Sequence, residues 1–247
     1  MQKTLTVIAL FTILLLSGCG TTGETVNYPD TTYQEGSVNQ NQSAIPPHGN
    51  GHGLAYDLSG YLLPVKTLEA ASVTKIFYIT KQESNGYFET TRSTLRRYLE
   101  GTKDDLDRPI VNVFEGDTGA ETLVEHYLVR ENRIDATFYD ADGNAISQEQ
   151  YPRYLQVGGD MLRSESGACV LKEHIEGFDM EDGVIPYQAE PNGNYGSVLH
   201  FYCGTADGVK IDRYYAEGWG QILAIRQQPD GSTLYSVLDQ NSYQESP

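Results

Sequence analysis

Between Val198 and Leu238 the chain repeats one pattern: a short apolar-rich run with a dominant period of two, a turn, then another such run. The runs are Val198 to Tyr202, Val209 to Tyr215, Gln221 to Arg226 and Thr233 to Leu238. Between them lie Ala206-Asp207-Gly208, Gly218-Trp219-Gly220 and Pro229-Asp230-Gly231. A period of two is that of a strand with one buried face. Asp-Gly accepts the positive φ that a tight hairpin requires. The segment therefore reads as a four-strand antiparallel meander. Its apolar face has to be covered, so it must curl into a barrel or half-barrel, or pack on another sheet as a sandwich.

The same period extends upstream. Ile76-Phe77-Tyr78-Ile79 leads to a turn at Ser84-Asn85-Gly86, with Tyr87 to Thr91 as the returning strand. Ile110 to Phe114, Thr122 to Val129 and Ile134 to Tyr139 are further strands. The composition of 18 Tyr against 7 Phe and one Trp suits strands with one amphipathic face. Helix is scarce. Thr91 to Glu100, with Leu95 and Leu99 four apart, is the best candidate, and Leu155 to Arg163 is too interrupted by glycine to assign. The expected fold is mainly β, a single domain over residues 54–247.

The N-terminal part has a different character. One positive charge, Lys3, precedes an apolar run from Leu5 to Leu16. Such a run is too short to cross a hydrocarbon core of roughly 30 Å, and it reads as a secretory signal peptide over residues 1–18. Leu16-Ser17-Gly18-Cys19 closely resembles the lipobox of bacterial lipoproteins, whose cysteine is lipidated and becomes the mature N-terminus. That resemblance implies a diacylglyceryl thioether and an acylated amino group on Cys19. Two or more buried acyl chains hold a protein stably on a membrane, whereas one holds it marginally. Gly20, rather than aspartate, follows the cysteine, which by the same resemblance implies the outer membrane, facing the periplasm. Residues 19–53 are rich in Thr, Gly, Asn, Gln, Ser and Pro, and are expected to form a lipidated, disordered tether. Tyr214-Tyr215-Ala216-Glu217-Gly218-Trp219-Gly220-Gln221 is similar to the aromatic-Ala-x-Gly-x-Gly hairpin of envelope half-barrel proteins, including lipid-handling lipoproteins of the LolA/LolB kind.

A formal charge of −17 argues against nucleic-acid binding, which needs a basic surface, and against docking on anionic lipid without an acyl anchor. Beyond Cys19 only Cys169 and Cys203 remain, and an even pair in an exported chain reads as a disulfide.

No complete catalytic, metal or cofactor motif occurs. Ser72-Val73-Thr74-Lys75 resembles the Ser-x-x-Lys nucleophile motif of serine D,D-peptidases and β-lactamases, in which the lysine sits beside the hydroxyl. Here the following residues alternate as a strand, where positions three apart face opposite ways, and no Ser-x-Asn or Lys-Thr-Gly occurs downstream. Asp140-Ala141-Asp142-Gly143-Asn144 has the look of a calcium loop, but the sixth and twelfth positions are Ala145 and Tyr151, and a hairpin turn fits better. His48 and His52 lie in a glycine-rich coil that would not orient them for a metal. The acidic runs Asp104 to Asp107 and Glu176 to Asp182 read as solvated loops, and His126, His174 and His200 as single strand residues. Trp219, between two glycines, either lines a ligand mouth or covers a close backbone approach. The expectation is a non-enzymatic, lipid-anchored protein that binds an apolar ligand or an envelope protein. The alternatives are an envelope hydrolase built on Ser72 and Lys75 or on a carboxylate pair, and a purely structural accessory subunit.

Overall fold

A computed structural model of the chain describes residues 54–89, 93–164, 167–179 and 194–244. The expected signal peptide (1–18), the expected lipidation site Cys19, the expected tether (19–53), His48 and His52 lie outside the described residues. The described chain opens with β1 (Tyr56–Asp57) and two one-turn helices, α1 (Ser59–Leu62) and α2 (Val65–Leu68). Six strands follow: β2 (Ser72–Gln82), β3 (Ser93–Lys103), β4 (Pro109–Glu115), β5 (Thr122–Val129), β6 (Arg133–Tyr139) and β7 (Ala145–Pro152). After the short β8 (Tyr154–Leu155), six more run to the C-terminus. These are β9 (Asp160–Ser164), β10 (Gly167–Asp179), β11 (Asn194–Thr205), β12 (Lys210–Ala216), β13 (Gly220–Gln227) and β14 (Thr233–Gln244).

Twelve of these strands form one antiparallel sheet, in the order β7-β6-β5-β4-β3-β2-β14-β13-β12-β11-β10-β9. Each half is a simple meander, and the two halves join where β14 pairs with β2. The sheet curls into a nearly closed barrel whose edge strands, β7 and β9, approach within 8 Å without pairing. Across this seam β1 pairs with β8 as a separate two-stranded ribbon.

The C-terminal meander falls where the alternation puts it. Its Asp-Gly turns use positive φ, 87° at Gly208 and 85° at Gly231. Two expectations are corrected. Thr91 to Glu100 is not a helix: β3 runs through Ser93–Lys103, paired to β2 on one side and to β4 on the other. Spacing of four is a multiple of two, so Leu95 and Leu99 share a strand face as readily as a helix face, and flanking strands supply the missing hydrogen bonds. Tyr87 to Thr91 forms no strand of its own in its described part; Phe88 makes an isolated bridge to Gln82, and Phe88 stacks at an angle against Tyr235.

Burial follows the inward phase. β2 buries Val73, Lys75 and Phe77; β4 buries Val111, Val113 and Glu115; β6 buries Ile134, Ala136 and Phe138. Val73, Val111, Val113, Ile134, Ala136 and Phe138 join residues of β10 to β12 in the main apolar cluster, and Phe77 joins a second cluster centred on β11 to β14. Cys169 and Cys203 are direct cross-strand partners on β10 and β11 and are bonded to each other.

Candidate binding site in the barrel lumen

Residues 56–71 form a strap across one mouth of the barrel. Helices of four residues have no stability of their own, so contacts with the wall must hold them. Just ahead of α1, Asp57 accepts from the Ser59 backbone N–H at 3.0 Å and from its hydroxyl at 2.7 Å, and it pairs with Arg153 Nη2 at 2.8 Å. The Leu58 N–H donates to the Arg153 carbonyl at 2.7 Å. Opposite, the Gly218 N–H donates to the Gly60 carbonyl at 2.7 Å, and the Val65 N–H donates to the Gly218 carbonyl at 3.0 Å. Leu58, Tyr61 and Leu63 are buried in the main apolar cluster among residues of both half-sheets. The Tyr61 hydroxyl meets Ser197 Oγ at 2.8 Å, Ser197 meets His174 Nε2 at 2.8 Å, and the Tyr56 ring lies 4.8 Å from the His174 ring.

Gly101 on β3 is what lets the strap lie this close. A Cβ there would stand 2.1 Å from the Thr67 carbonyl oxygen. Thr67 itself is fully buried, its hydroxyl donating to the Pro64 carbonyl at 2.7 Å.

Beneath the strap is a cavity of about 40 Å³, roofed by Leu62, Leu63 and Pro64. It has room for two or three waters. Lys75, Arg97, Glu125, Tyr127, Tyr215 and Gln221 contribute to its wall. Arg97 Nε donates to Glu115 Oε1 at 2.7 Å, and its Nη2 lies 3.1 Å from Glu125 Oε1. The Tyr127 hydroxyl donates to Glu125 Oε2 at 2.7 Å, and the Tyr151 hydroxyl donates to the Glu149 carboxylate. Burial, with the neighbouring carboxylates adding to it, pushes both phenols well above their usual range. Burial likewise raises the Glu149 carboxyl. Lys75 has no carboxylate partner among the described residues. Its Nζ donates to the carbonyls of Trp219 at 2.8 Å and Gln221 at 2.6 Å, and burial, then the Arg97 charge, holds the amine well below its ordinary value.

Ser72 and Lys75 are not brought together. Lys75 points into the lumen, whereas Ser72 Oγ accepts from the Tyr98 hydroxyl at 2.9 Å at the start of β2. Trp219 sits in the turn between β12 and β13, 37% exposed, edge-on to Tyr195 at 5.4 Å. Asp140 closes the β6–β7 hairpin, its carboxylate accepting from the backbone of Asp142 and Asn144. His126 meets Asn112 at 2.9 Å, and His200 lies between Glu173 and Asp212 at 2.9 and 2.7 Å, stacked on Tyr214. The Ser197–His174 contact lacks the orienting acid of a catalytic triad: no carboxylate meets the second ring nitrogen among the described residues. No group of three or more His, Cys, Asp or Glu among those residues is arranged to hold a metal.

Neither the strap nor the luminal charges stand out in sequence analysis. The signal was there: Arg97, Glu115, Glu125 and Arg213 each occupy the phase of an alternating strand that its apolar neighbours assign to the interior.

No family model and no curated protein matches the chain. Solved structures similar to it include a DUF1329-family protein from Desulfovibrio piger, at 10% identity and TM-score 0.28, covering 72% of this chain and 88% of that one. A LolA-superfamily protein from Nitrosomonas europaea is 10% identical with TM-score 0.26, over 74% of this chain and 94% of the other. MucB in complex with MucA(peri) is 8% identical with TM-score 0.16, over 73% and 90%. Overlaps this shallow decide neither ligand nor activity.

Proposed function

We propose that this protein is an exported lipoprotein, held on the outer membrane by acyl chains on Cys19, with a non-enzymatic binding or envelope-assembly role in the periplasm. The anchor reading rests on Leu16-Ser17-Gly18-Cys19. The binding reading rests on one observation: Leu58, Tyr61 and Leu63 of the strap pack among wall residues of both half-sheets, and a cavity lies between the strap and the wall. An apolar molecule entering the lumen must displace Leu58, Tyr61 and Leu63, whose burial contributes about 1.5–3 kcal/mol each. A protein partner could instead dock on the strap while it stays seated.

Two experiments separate the parts of this reading. Globomycin should block cleavage of the precursor, and labelled palmitate should enter the mature protein; cleavage without label would refute the anchor. Native mass spectrometry of protein extracted from membranes should then show a bound molecule or a co-purifying protein. A lipid adduct supports carriage, whereas a bare mass accompanied by a protein partner refutes carriage and supports the accessory role. A bare mass alone refutes both.

A further inference from the structure

Lys75 is only 3% exposed, on the inward phase of β2 between Val73 and Phe77, and it lines the cavity beneath the strap. Its Nζ lies close under the cavity roof: a Cβ on Gly220 would stand 3.3 Å from Nζ, 3.2 Å from the Leu62 carbonyl oxygen and 3.2 Å from Pro64 Cδ. Two acceptors meet this nitrogen, the carbonyls of Trp219 and Gln221. A neutral amine has two N–H donors, an ammonium three. The neutral form therefore places both hydrogens on the two carbonyls and keeps its lone pair free, whereas the ammonium leaves a buried donor unmet, which is unfavourable. No carboxylate lies within 4 Å of Nζ among the described residues to offset a positive charge. Arg97, directly opposite on β3, also lines the cavity, and its carboxylate partners Glu115 and Glu125 belong to β4 and β5, one and two strands further from Lys75. Burial and the Arg97 charge both favour the neutral amine. The field that opposes a cation at Nζ favours an anion there.

We propose that Lys75 Nζ takes up carbon dioxide as a carbamate inside the strap-covered cavity. The Nζ lone pair attacks the carbon, the electron pair of one C=O π bond moves onto its oxygen, and one N–H proton leaves to bulk water. The product, –NH–COO⁻, keeps one N–H for the carbonyl of Trp219 or Gln221, and the Arg97 charge stabilises the new anion. The cavity limits the reactant: a molecule of three heavy atoms fits where roughly two or three waters would. Carbon dioxide is small and uncharged, so it enters with the strap seated, as small apolar guests enter other closed cavities. The inference goes beyond the binding reading and depends neither on the acyl anchor nor on an apolar ligand.

The test equilibrates the purified full-length protein with 13C-labelled bicarbonate at about pH 7.5, records the carbamate resonance, and traps carbamates as ethyl esters with a trialkyloxonium salt. Peptide mass spectrometry then locates the label. Occupancy at Lys75 should exceed that at the exposed Lys66 and Lys210 by about tenfold or more, since their amines are protonated at this pH. Lys75→Arg keeps a long cationic side chain and should abolish the resonance, whereas Lys210→Gln should leave it unaltered. At fixed carbon dioxide pressure an exposed lysine sheds two protons and its carbamate rises about a hundredfold per pH unit; at Lys75 the rise should be nearer tenfold. Absence of label on Lys75 in the wild-type protein, a resonance that survives Lys75→Arg, or a pH dependence as steep as that of exposed lysines overturns the proposal. The peptide map uses wild-type protein alone, so it decides the matter even if Lys75→Arg does not fold. Failure here leaves the palmitate and native mass-spectrometric tests standing, so the two readings fall separately.

Discussion

Replacing Gly101 by alanine tests whether the strap is a docked element or an integral part of the wall. The backbone at Gly101 is ordinary strand, so alanine adds no conformational strain there. What the methyl meets is the Thr67 backbone, with carbonyl oxygen, carbonyl carbon and Cα at 2.1, 2.7 and 2.8 Å. Reaching an ordinary 3.4 Å contact requires the strap to retreat by about 1.3 Å, more than a packed interior absorbs without loss. Overpacking of this kind costs about 1–3 kcal/mol. For a domain of this size that lowers Tm by roughly 2–4 °C per kcal/mol, so a fall of about 4–8 °C corresponds to the middle of the range. The retreat also strains the hydrogen bonds from Gly218 to Gly60 and from Val65 to Gly218, beside the lone tryptophan, Trp219. Its emission should therefore shift to the red at temperatures where the sheet is intact by far-ultraviolet circular dichroism. Gly204→Ala on β11 is the control, because a Cβ there meets nothing within 4 Å. A Gly101→Ala protein with wild-type Tm and emission would refute the idea that the strap is held by this close approach.

Three further outcomes are expected. Arg97→Met strands the buried carboxylates of Glu115 and Glu125 and should destabilise by about 3–5 kcal/mol in urea, a loss that adding Glu115→Gln and Glu125→Gln partly recovers. The Lys75 amine titrates well below 10.5 in the folded protein, so between its folded and unfolded values the unfolded chain carries the extra proton. Stability should therefore rise from pH 7 to pH 9.5 more steeply in wild type than in Lys75→Met; equal slopes in urea titrations would contradict this. Replacing Cys169 and Cys203 by serine opens a link across a sequence separation of 34 and should cost roughly 3–4 kcal/mol by calorimetry. Two titratable thiols in unfolded, unreduced protein would instead show that the bond does not form.

How much of this was readable in sequence depends on where the information lies. The hairpins from β11 to β14 were legible because alternation and turn chemistry are both local: Asp207-Gly208 and Asp230-Gly231 specify their own geometry. β3 was misread because Leu95 and Leu99 satisfy two periods at once, and only its neighbours β2 and β4 choose between them. The strap was invisible for a similar reason. Nothing in Leu58 to Leu68 favours two one-turn helices until Gly101, Gly218 and Arg153, distant in the chain, supply the surface that holds them. Luminal charge lies between these cases. Arg97, Glu115, Glu125 and Arg213 occupy inward positions that period two identifies, but their pairing depends on barrel closure, which alternation does not encode.

The ladder between β2 and β14 sets Ser72 opposite Gln244 and Gln82 opposite Thr233. The first long strand therefore waits for the last one to be made, and every earlier hairpin forms without the partner that completes the sheet. Contacts this remote in the chain make closure slow. The finished shape is therefore out of reach until the C-terminal segment has been made.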